Sequence, residues 1–250
     1  MSKIQCVEDT DQKAKMLEMG LSLFRSHYPL EVLFTPAIEA CLMFHPPERD
    51  DRDYDYIEKD EYEAVIAAAK HAGDTGFVLC HDFGSFKEEA RDQFKRYWTG
   101  EGDTYRMDLP TDTAGNESEK PSNIAEAVKE FPTFWWCEFP TYEAYLEIPF
   151  ARLAHATVYS INGRWALHTA HDFWTLVGGD IDFIREVDKL HPVWRNHMLA
   201  LIDDWEGDMA RDLPFAGLLI ELLDYWKKWP GGEWVDTFAA KLDQKLTGGL

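Results

Sequence analysis

The chain has 250 residues and is predicted to adopt an α+β fold, with a short antiparallel sheet in its middle and a helical C-terminal section. Two patterns predict this. Short apolar runs divided by turn residues occupy residues 156–178, whereas longer periodic apolar segments divided by glycine and proline extend from His191 to the end. Because the hydrophobic content is 45%, the chain can bury a substantial core. We therefore expect residues 1–250 to form a single α+β domain.

The central sheet is predicted as a three-strand meander. Its apolar runs are "ATVYS", "RWALHTA" and "FWTLV", divided by Asn162-Gly163 and by His171-Asp172. Asn-Gly between two such runs is a strong hairpin signal. Gly178-Gly179 is expected to end the third strand, and Asp180 to cap a helix. That helix is predicted to dock on the meander through its apolar residues, which are Phe183, Ile184 and Val187.

The N-terminal half alternates helical and strand-like patterns. An amphipathic helix is predicted in "DTDQKAKMLEMGLSLFRSHYP", with Asp11 near its start, and a helix, turn and strand in "YIEKDEYEAVIAAAKHAGDTGFVLC". Between them, "LEVLFTPAIEACLMFHPP" fits either a strand and a short helix or two strands. Further helices are predicted in "SFKEEARDQFKRYWTG" and over residues 123–129. The polar connection at 101–121 is the best candidate for a boundary within the chain.

Charge narrows the possible partners. The chain carries 46 acidic and 25 basic residues, a formal net charge of -21. Such a surface repels nucleic acid and attracts basic proteins or cations, although acidity also simply promotes solubility. The sequence lacks the apolar core of a signal peptide and any apolar run of about 18 residues, so we expect a cytoplasmic protein that does not bind membranes.

Four cysteines are scattered without a CxxC pair. They are Cys6, Cys41, Cys80 and Cys137, and all except Cys6 lie among apolar residues. Buried free thiols are therefore predicted rather than a redox or metal motif. No cofactor is expected from the sequence.

Two His-Asp dipeptides raise the possibility of catalysis. His81-Asp82 and His171-Asp172 both follow strand-like runs, and His168 precedes the second pair. Imidazole and carboxylate are suitable zinc ligands, but side chains alternate along a strand, so His168 and His171 are expected to point apart. The chain also contains no GxxxxGK[ST], GxGxxG, HExxH or GxSxG motif. We predict no metal site and no catalytic residues from these patterns.

An acidic run rich in tyrosine is the clearest candidate for a binding surface. Residues 48–63, "ERDDRDYDYIEKDEYE", contain nine acids and three bases. Carboxylates steer and pair with Lys or Arg, while tyrosines provide rigid contact area. The plainer alternative is a solvated loop that leads into an exposed helix face. The predicted partner-binding residues are Asp50, Asp51, Asp53, Tyr54, Asp55, Tyr56, Glu58, Asp60, Glu61 and Tyr62.

One segment carries a family resemblance. "SINGRWALHTAHDFWTLVGGDIDFIREV", around residues 159–187, combines a Gly-x-Trp hairpin, a strand that ends in Val-Gly-Gly, and Asp-Ile-Asp-Phe-Ile opening a helix. It resembles poorly characterised bacterial proteins, some of which are similar to immunity proteins encoded beside toxins. The resemblance implies an acidic cytoplasmic inhibitor that binds a cognate toxin and blocks its basic active surface. It assigns no functional role to any single residue.

Three functional hypotheses follow. The leading one is a non-enzymatic binding protein, specifically an immunity-type inhibitor that neutralises a basic toxin or effector. The alternative is a metal-dependent hydrolase that uses some of His81, Asp82, His168, His171 and Asp172. The third is a structural or self-assembling protein, which a monomer in light scattering would argue against.

Overall fold

The computed structural model describes residues 3–24, 34–44, 57–80, 134–148, 151, 156–169, 174–204 and 213–247. Seven strands in this part of the chain form one antiparallel sheet, in the order β1-β4-β3-β5-β6-β7-β2. The strands are β1 (Ile4–Cys6), β2 (Ala40–Phe44), β3 (Phe77–Cys80), β4 (Phe134–Cys137), β5 (Thr157–Tyr159), β6 (Trp165–Thr169) and β7 (Thr175–Gly179). The described helices are α1 (Thr10–Leu23), α2 (Lys59–His71), α3 (Tyr142–Leu146), α4 (Ile181–Leu190), α5 (Trp194–Asp204), α6 (Leu213–Lys228) and α7 (Glu233–Thr247). The α+β class predicted from the sequence is confirmed.

The central meander forms from the local signals that predicted it. Strands β5, β6 and β7 are sheet neighbours, and Gly163 has the positive φ of 69° that the Asn-Gly turn requires. The third strand ends at Gly179, and the Asp180 carboxylate accepts a hydrogen bond from the Phe183 amide at 2.8 Å. The Phe183 ring stacks on the Trp165 ring with centroids 5.5 Å apart. Helix α4 therefore docks on the sheet as expected.

The sheet extends well beyond this meander. Strands β3 and β4 continue it beside β5, and the two N-terminal strands lie at its opposite edges, β1 against β4 and β2 against β7. These pairings join segments far apart in sequence, which local patterns do not indicate. The predicted helices within 85–100 and 123–129, and the connection at 101–121, lie outside the described residues.

The first helix begins at Thr10, within the segment that the sequence pattern indicated. The Asp9 carboxylate caps α1 by accepting a hydrogen bond from the Gln12 amide at 2.8 Å, and Asp11 lies within the first turn. The ambiguous segment that follows contains strand β2, and upstream of it Phe34 forms an isolated bridge with Phe24. The described part of this segment, residues 34–44, thus contains one strand and no helix.

Both faces of the sheet are covered at its centre. Every residue of β6 and β7 is buried. On one face, the Tyr159 hydroxyl donates to the Met16 carbonyl of α1 at 2.8 Å, while Trp165 on the other face stacks against α4. Gly178 permits close packing, because a Cβ there would lie 2.7 Å from Ile38 Cγ2. Strand alternation in this region therefore separates two buried faces rather than a buried face from a wet one.

The C-terminal helices α5, α6 and α7 agree with the three helical segments predicted from the sequence. They meet around a cluster of tryptophans, in which Trp226 lies 5.8 Å from Trp194 and 5.2 Å from Trp234 between ring centroids. The Trp226 indole also donates to the Cys41 carbonyl of β2 at 3.1 Å. The helical section is thus packed directly on the edge strand of the sheet. Among the described helices, none combines the length and the apolar character needed to cross a membrane.

Candidate functional site: the α2 corner

Most of the predicted partner-binding run lies outside the described residues, namely Asp50, Asp51, Asp53, Tyr54, Asp55 and Tyr56. Its last members, Glu58, Asp60, Glu61 and Tyr62, form the beginning of α2. There the helix meets the end of β2, the start of α3 and the turn between α4 and α5. We call this place the α2 corner; it is built from Phe44, residues 57–63, Glu143 and residues 189–197.

Glu61 belongs to the interior of the corner. Its side chain is only 1% exposed, and its carboxylate accepts a hydrogen bond from the Glu58 backbone amide at 3.0 Å. This contact is one half of a capping box, which satisfies amides at the start of a helix. Glu61 therefore fixes where α2 begins, and its carboxylate does not face a partner.

Tyr62 is also internal. It is 5% exposed, its hydroxyl donates to the Pro140 carbonyl at 2.9 Å, and its ring stacks on Tyr145 with centroids 4.8 Å apart. Burial raises the pKa of the Tyr62 hydroxyl well above its ordinary value, so the phenol stays protonated. Tyr62 anchors α2 to α3 and does not offer contact area to a partner.

The outer side of the corner is a ridge of exposed carboxylates. We define the acidic ridge as Asp60, Glu63 and Glu143, whose side chains are 73%, 62% and 69% exposed. Lys59 lies among them, with Nζ 2.7 Å from Glu143 Oε1 and 4.0 Å from Glu63 Oε1. The hydrogen bond from Lys59 lowers the pKa of the Glu143 carboxyl. The ridge carries net negative charge at neutral pH.

Behind the ridge lie two histidines that sequence patterns did not single out. His191 follows the last residue of α4 and is 4% exposed; its ring meets the Phe44 ring edge-on with centroids 5.1 Å apart. Its Nδ1 lies 3.6 Å from Asp60 Oδ2, and the ring of His197 lies 6.2 Å away. No local motif could have revealed this cluster, because three separate elements bring it together.

Of the five residues in the His-Asp hypothesis, the structure describes only His168. His168 is fully buried in β6, opposite Thr157 of β5 and Leu176 of β7. His81, Asp82, His171 and Asp172 lie outside the described residues. Within the described ranges, no three side chains of His, Cys, Asp or Glu are grouped so that they could hold a metal ion.

The prediction that the cysteines in apolar surroundings are buried is confirmed. Cys41, Cys80 and Cys137 are buried and form no disulfide, while Cys6 is partly exposed. Burial raises the pKa of the Cys137 thiol to about 12, which leaves little reactive thiolate at neutral pH. These three thiols belong to the core.

Two adjacent tryptophans, Trp135 and Trp136, lie in β4. Both are half-buried in β4. Trp136 lines a shallow surface groove of about 380 Å³ with Met16 of α1, Val7 and Ile161. Neither residue is fully exposed.

Comparison with known proteins gives no relative: no protein-family model, no curated protein and no solved structure matches this chain.

Proposed function

We propose that this chain is a non-enzymatic binding protein, most specifically an immunity-type inhibitor that neutralises a basic toxin or effector by direct contact. The observation that carries the proposal is the acidic ridge, where three carboxylates are exposed beside one lysine. A basic protein would meet this ridge with Lys or Arg side chains, and complementary charge speeds the encounter of two proteins.

The rigidity of the ridge supports this role. Helix α2 is fixed at its start by the Glu61 cap and on its inner side by Tyr62, so the outward carboxylates are held on an ordered helix. Lys59 links Glu143 of α3 to the same surface. Groups presented by an ordered scaffold lose less conformational entropy when a partner binds.

The charge of the whole chain acts in the same direction. A formal net charge of -21 sets up an attractive field for a cationic partner at distances beyond direct contact. The acidic residues that precede α2 in sequence, Asp50, Asp51, Asp53 and Asp55, would add to this field. The proposed interface therefore combines the ridge with the acidic run, and cytoplasmic residence remains part of the proposal.

The first test is an affinity purification of the tagged chain from cells that encode it. Bound proteins are eluted with rising salt and identified by mass spectrometry. We expect one basic protein at stoichiometric amount, and its retention should fall with salt because the Debye length shrinks from about 10 Å at 0.1 M to about 3 Å at 1 M. Recovery of the bare chain at low salt would contradict the proposal and favour the enzyme hypothesis, which metal analysis of the same sample would then examine.

Two charge-reversal variants locate the interface. Glu63→Lys with Glu143→Lys alters the ridge without touching Asp60, which contacts His191. Asp51→Lys with Asp53→Lys and Asp55→Lys alters the run. Each is expected to slow association of the captured protein by about tenfold or more, because steering by charge acts mainly on the association rate. An unchanged affinity would remove that group of residues from the interface.

A matched control separates local from overall charge. Asp224→Lys with Asp236→Lys on α6 and α7 makes the same change in net charge as the ridge variant, at exposed positions remote in sequence. Asp224 pairs with Lys227, so the control also breaks an exposed ion pair, whereas the ridge variant breaks the two pairs that Lys59 makes with Glu63 and Glu143. The control should retain most of the binding. Equal losses in both variants would mean that overall charge alone attracts the partner.

A further inference from the structure

His191 is buried with one ring nitrogen unsatisfied. Its Nδ1 faces Asp60, whereas its Nε2 is buried and accepts or donates no hydrogen bond within the described residues. The ring packs edge-on against Phe44, the last residue of β2. His191 thus connects the end of one sheet strand to the first turn of α2. A buried polar atom without a partner costs free energy, so its persistence here calls for a physical explanation.

His197 repeats the pattern nearby. It lies in α5, its ring centroid is 6.2 Å from that of His191, and its Nδ1 is also buried without a hydrogen bond in the described structure. Two imidazoles therefore stand side by side with little polar compensation. If both took up a proton, two positive charges would share one partly buried space.

The charged groups around the pair are few. Helix α2 contributes Asp60, which faces both histidines, and β2 contributes only the uncharged ring of Phe44. On α4, Lys189 is engaged with Glu186, whose carboxylate is also 3.4 Å from His71 of α2. One exposed carboxylate is thus the only charge of opposite sign directed at the two rings from the described elements.

Burial dominates the protonation of both rings. It lowers the pKa of His191 below the ordinary value of 6.5, against the opposing effect of Asp60, and the neighbouring His197 lowers it further. Burial also lowers the pKa of His197 below 6.5, again against Asp60. Both rings are consequently neutral at pH 7, and a proton on either is disfavoured in the closed structure.

We propose that His191, His197 and Asp60 form a proton-sensitive latch, which holds the α4–α5 turn against α2 and the end of β2 while both rings are neutral. Protonation favours opening of the turn, because an open turn lets water solvate the imidazolium groups. Leu190 and Val193, which are exposed apolar residues, lie within two residues of His191 in sequence. The closed turn is the state at neutral pH, and acid loosens it.

The latch also bears on the acidic ridge through Asp60. If the proposed function is right, an imidazolium behind Asp60 offsets part of the ridge's negative charge, so a basic partner is held more weakly in acid. This consequence rests on the proposed function, whereas the latch itself does not. The experiment below therefore uses the isolated chain and needs no partner.

Hydrogen exchange of the backbone amides in residues 186–197 tests the latch. Exchange is followed from pH 8 to pH 5 and corrected for the intrinsic effect of pH on amide exchange. Above pH 6.5 the protection should be constant, and below it protection should fall, by up to about tenfold per pH unit for each proton taken up on opening. Protection of the same amides that does not change with pH would overturn the proposal.

Variants assign the effect to the three residues. His191→Gln with His197→Gln should abolish the loss of protection in acid, since neither position then takes up a proton. Asp60→Asn should leave the onset near pH 6.5 and make the loss larger and continue to lower pH, because without the carboxylate the closed structure takes up protons less readily. His71→Gln is the matched control, as His71 also contacts α4 but lies outside the latch and is 73% exposed. A double variant that keeps the pH response of the unaltered chain would overturn the proposal.

Direct titration covers the case in which the double variant does not fold. The ring protons of His191 and His197 can be followed by NMR in the unaltered chain, with single variants used only to assign their signals. Both rings should take up protons below pH 6.5, together with shifts in the amides of the α4–α5 turn. Titration of both rings at or above 6.5 would contradict the latch.

Discussion

Helix α2 meets a buried polar cluster at each end, and the two clusters are opposite in character. Beyond its C-terminal end, Asp74 is 7% exposed and its carboxylate accepts hydrogen bonds from Ser160 at 3.0 Å, Asn162 at 2.8 Å and the Trp165 indole at 2.7 Å. At its N-terminal end, the nitrogens of His191 and His197 are left partly unsatisfied.

The difference shows how burial acts on polar groups. A buried carboxylate that accepts three hydrogen bonds fixes the geometry of its donors, which here belong to the β5–β6 hairpin. A buried imidazole with an unsatisfied nitrogen has a second charge state within reach of mild acid, so what it holds together depends on pH. The cluster at the C-terminal end of α2 is therefore a fixed structural contact, which we call the fastening, whereas the cluster at the N-terminal end can respond to protons.

The largest expected effect comes from removing the fastening. Asp74→Ala leaves three donors without their acceptor, and we expect the free energy of unfolding to fall by about 3 kcal/mol or more. Urea denaturation measures this change. Asp74→Asn keeps one acceptor oxygen, so its free energy of unfolding should lie between those of the unaltered chain and Asp74→Ala. A loss below about 1 kcal/mol in Asp74→Ala would show that the cluster is not a fastening.

A smaller loss is expected at Arg164, which ties the same end of α2 to α4. Its Nη1 donates to the Ala72 carbonyl at 2.7 Å, and its Nε donates to Asp180 at 2.9 Å. Because the side chain is partly exposed, we expect Arg164→Ala to cost about 1 to 2 kcal/mol in urea denaturation. Arg164→Lys should recover only part of the loss, since an ammonium cannot span both acceptors in the same way. Full recovery by lysine would mean that only charge matters there.

The response to pH should come from the other end of α2. Because burial lowers the pKa values of His191 and His197 in the folded chain, the unfolded chain binds more protons below about pH 6.5. Their contribution to stability is complete above that pH and declines as the pH falls through the lowered values. Urea midpoints at pH 8, 6.5 and 5.5 measure this trend. Carboxylates also titrate in this range, so the trend is assigned by comparison with His191→Gln and His197→Gln.

The smallest effect at neutral pH is expected from His191→Phe. Replacing an unsatisfied polar ring by an apolar ring beside Phe44 removes a buried orphan atom, so the free energy of unfolding at pH 8 should change by less than about 1 kcal/mol. At pH 5.5 the variant should be more stable than the unaltered chain. A large loss at pH 8 would show that His191 makes an essential polar contact, which would bring the two ends of α2 closer in character.

The parts of the fold that the sequence predicted are those set by neighbours in the chain. Asn162-Gly163 requires a turn, and Asp180 precedes an apolar helical pattern, so the meander and α4 were predicted correctly. The positions of β1 and β2 at opposite edges depend on pairings with Cys137 and Gly179, far away in sequence. Local periodicity contains no information about such pairings.

In the candidate site, too, the sequence predicted what depends on local pattern and missed what depends on the folded chain. Exposure of Asp60 agrees with the acidic pattern, but Glu61 and Tyr62 are buried beside it. The helical spacing of Tyr62, Val65, Ile66 and Ala69 could have indicated that this side of α2 faces the core. No spacing could have indicated the latch, because Phe44, Asp60 and His191 meet only in the folded chain.

The contact between Trp226 and β2 has a consequence for synthesis. Strand β2 leaves the ribosome early, yet its sheet neighbour β7 and its covering helix α6 follow about 130 and 170 residues later. Until then the nascent chain carries an apolar strand with unpaired backbone groups, a form that associates readily with other strands. Productive folding of this sheet must therefore wait for most of the chain, and chaperones that shield early apolar strands should raise the yield.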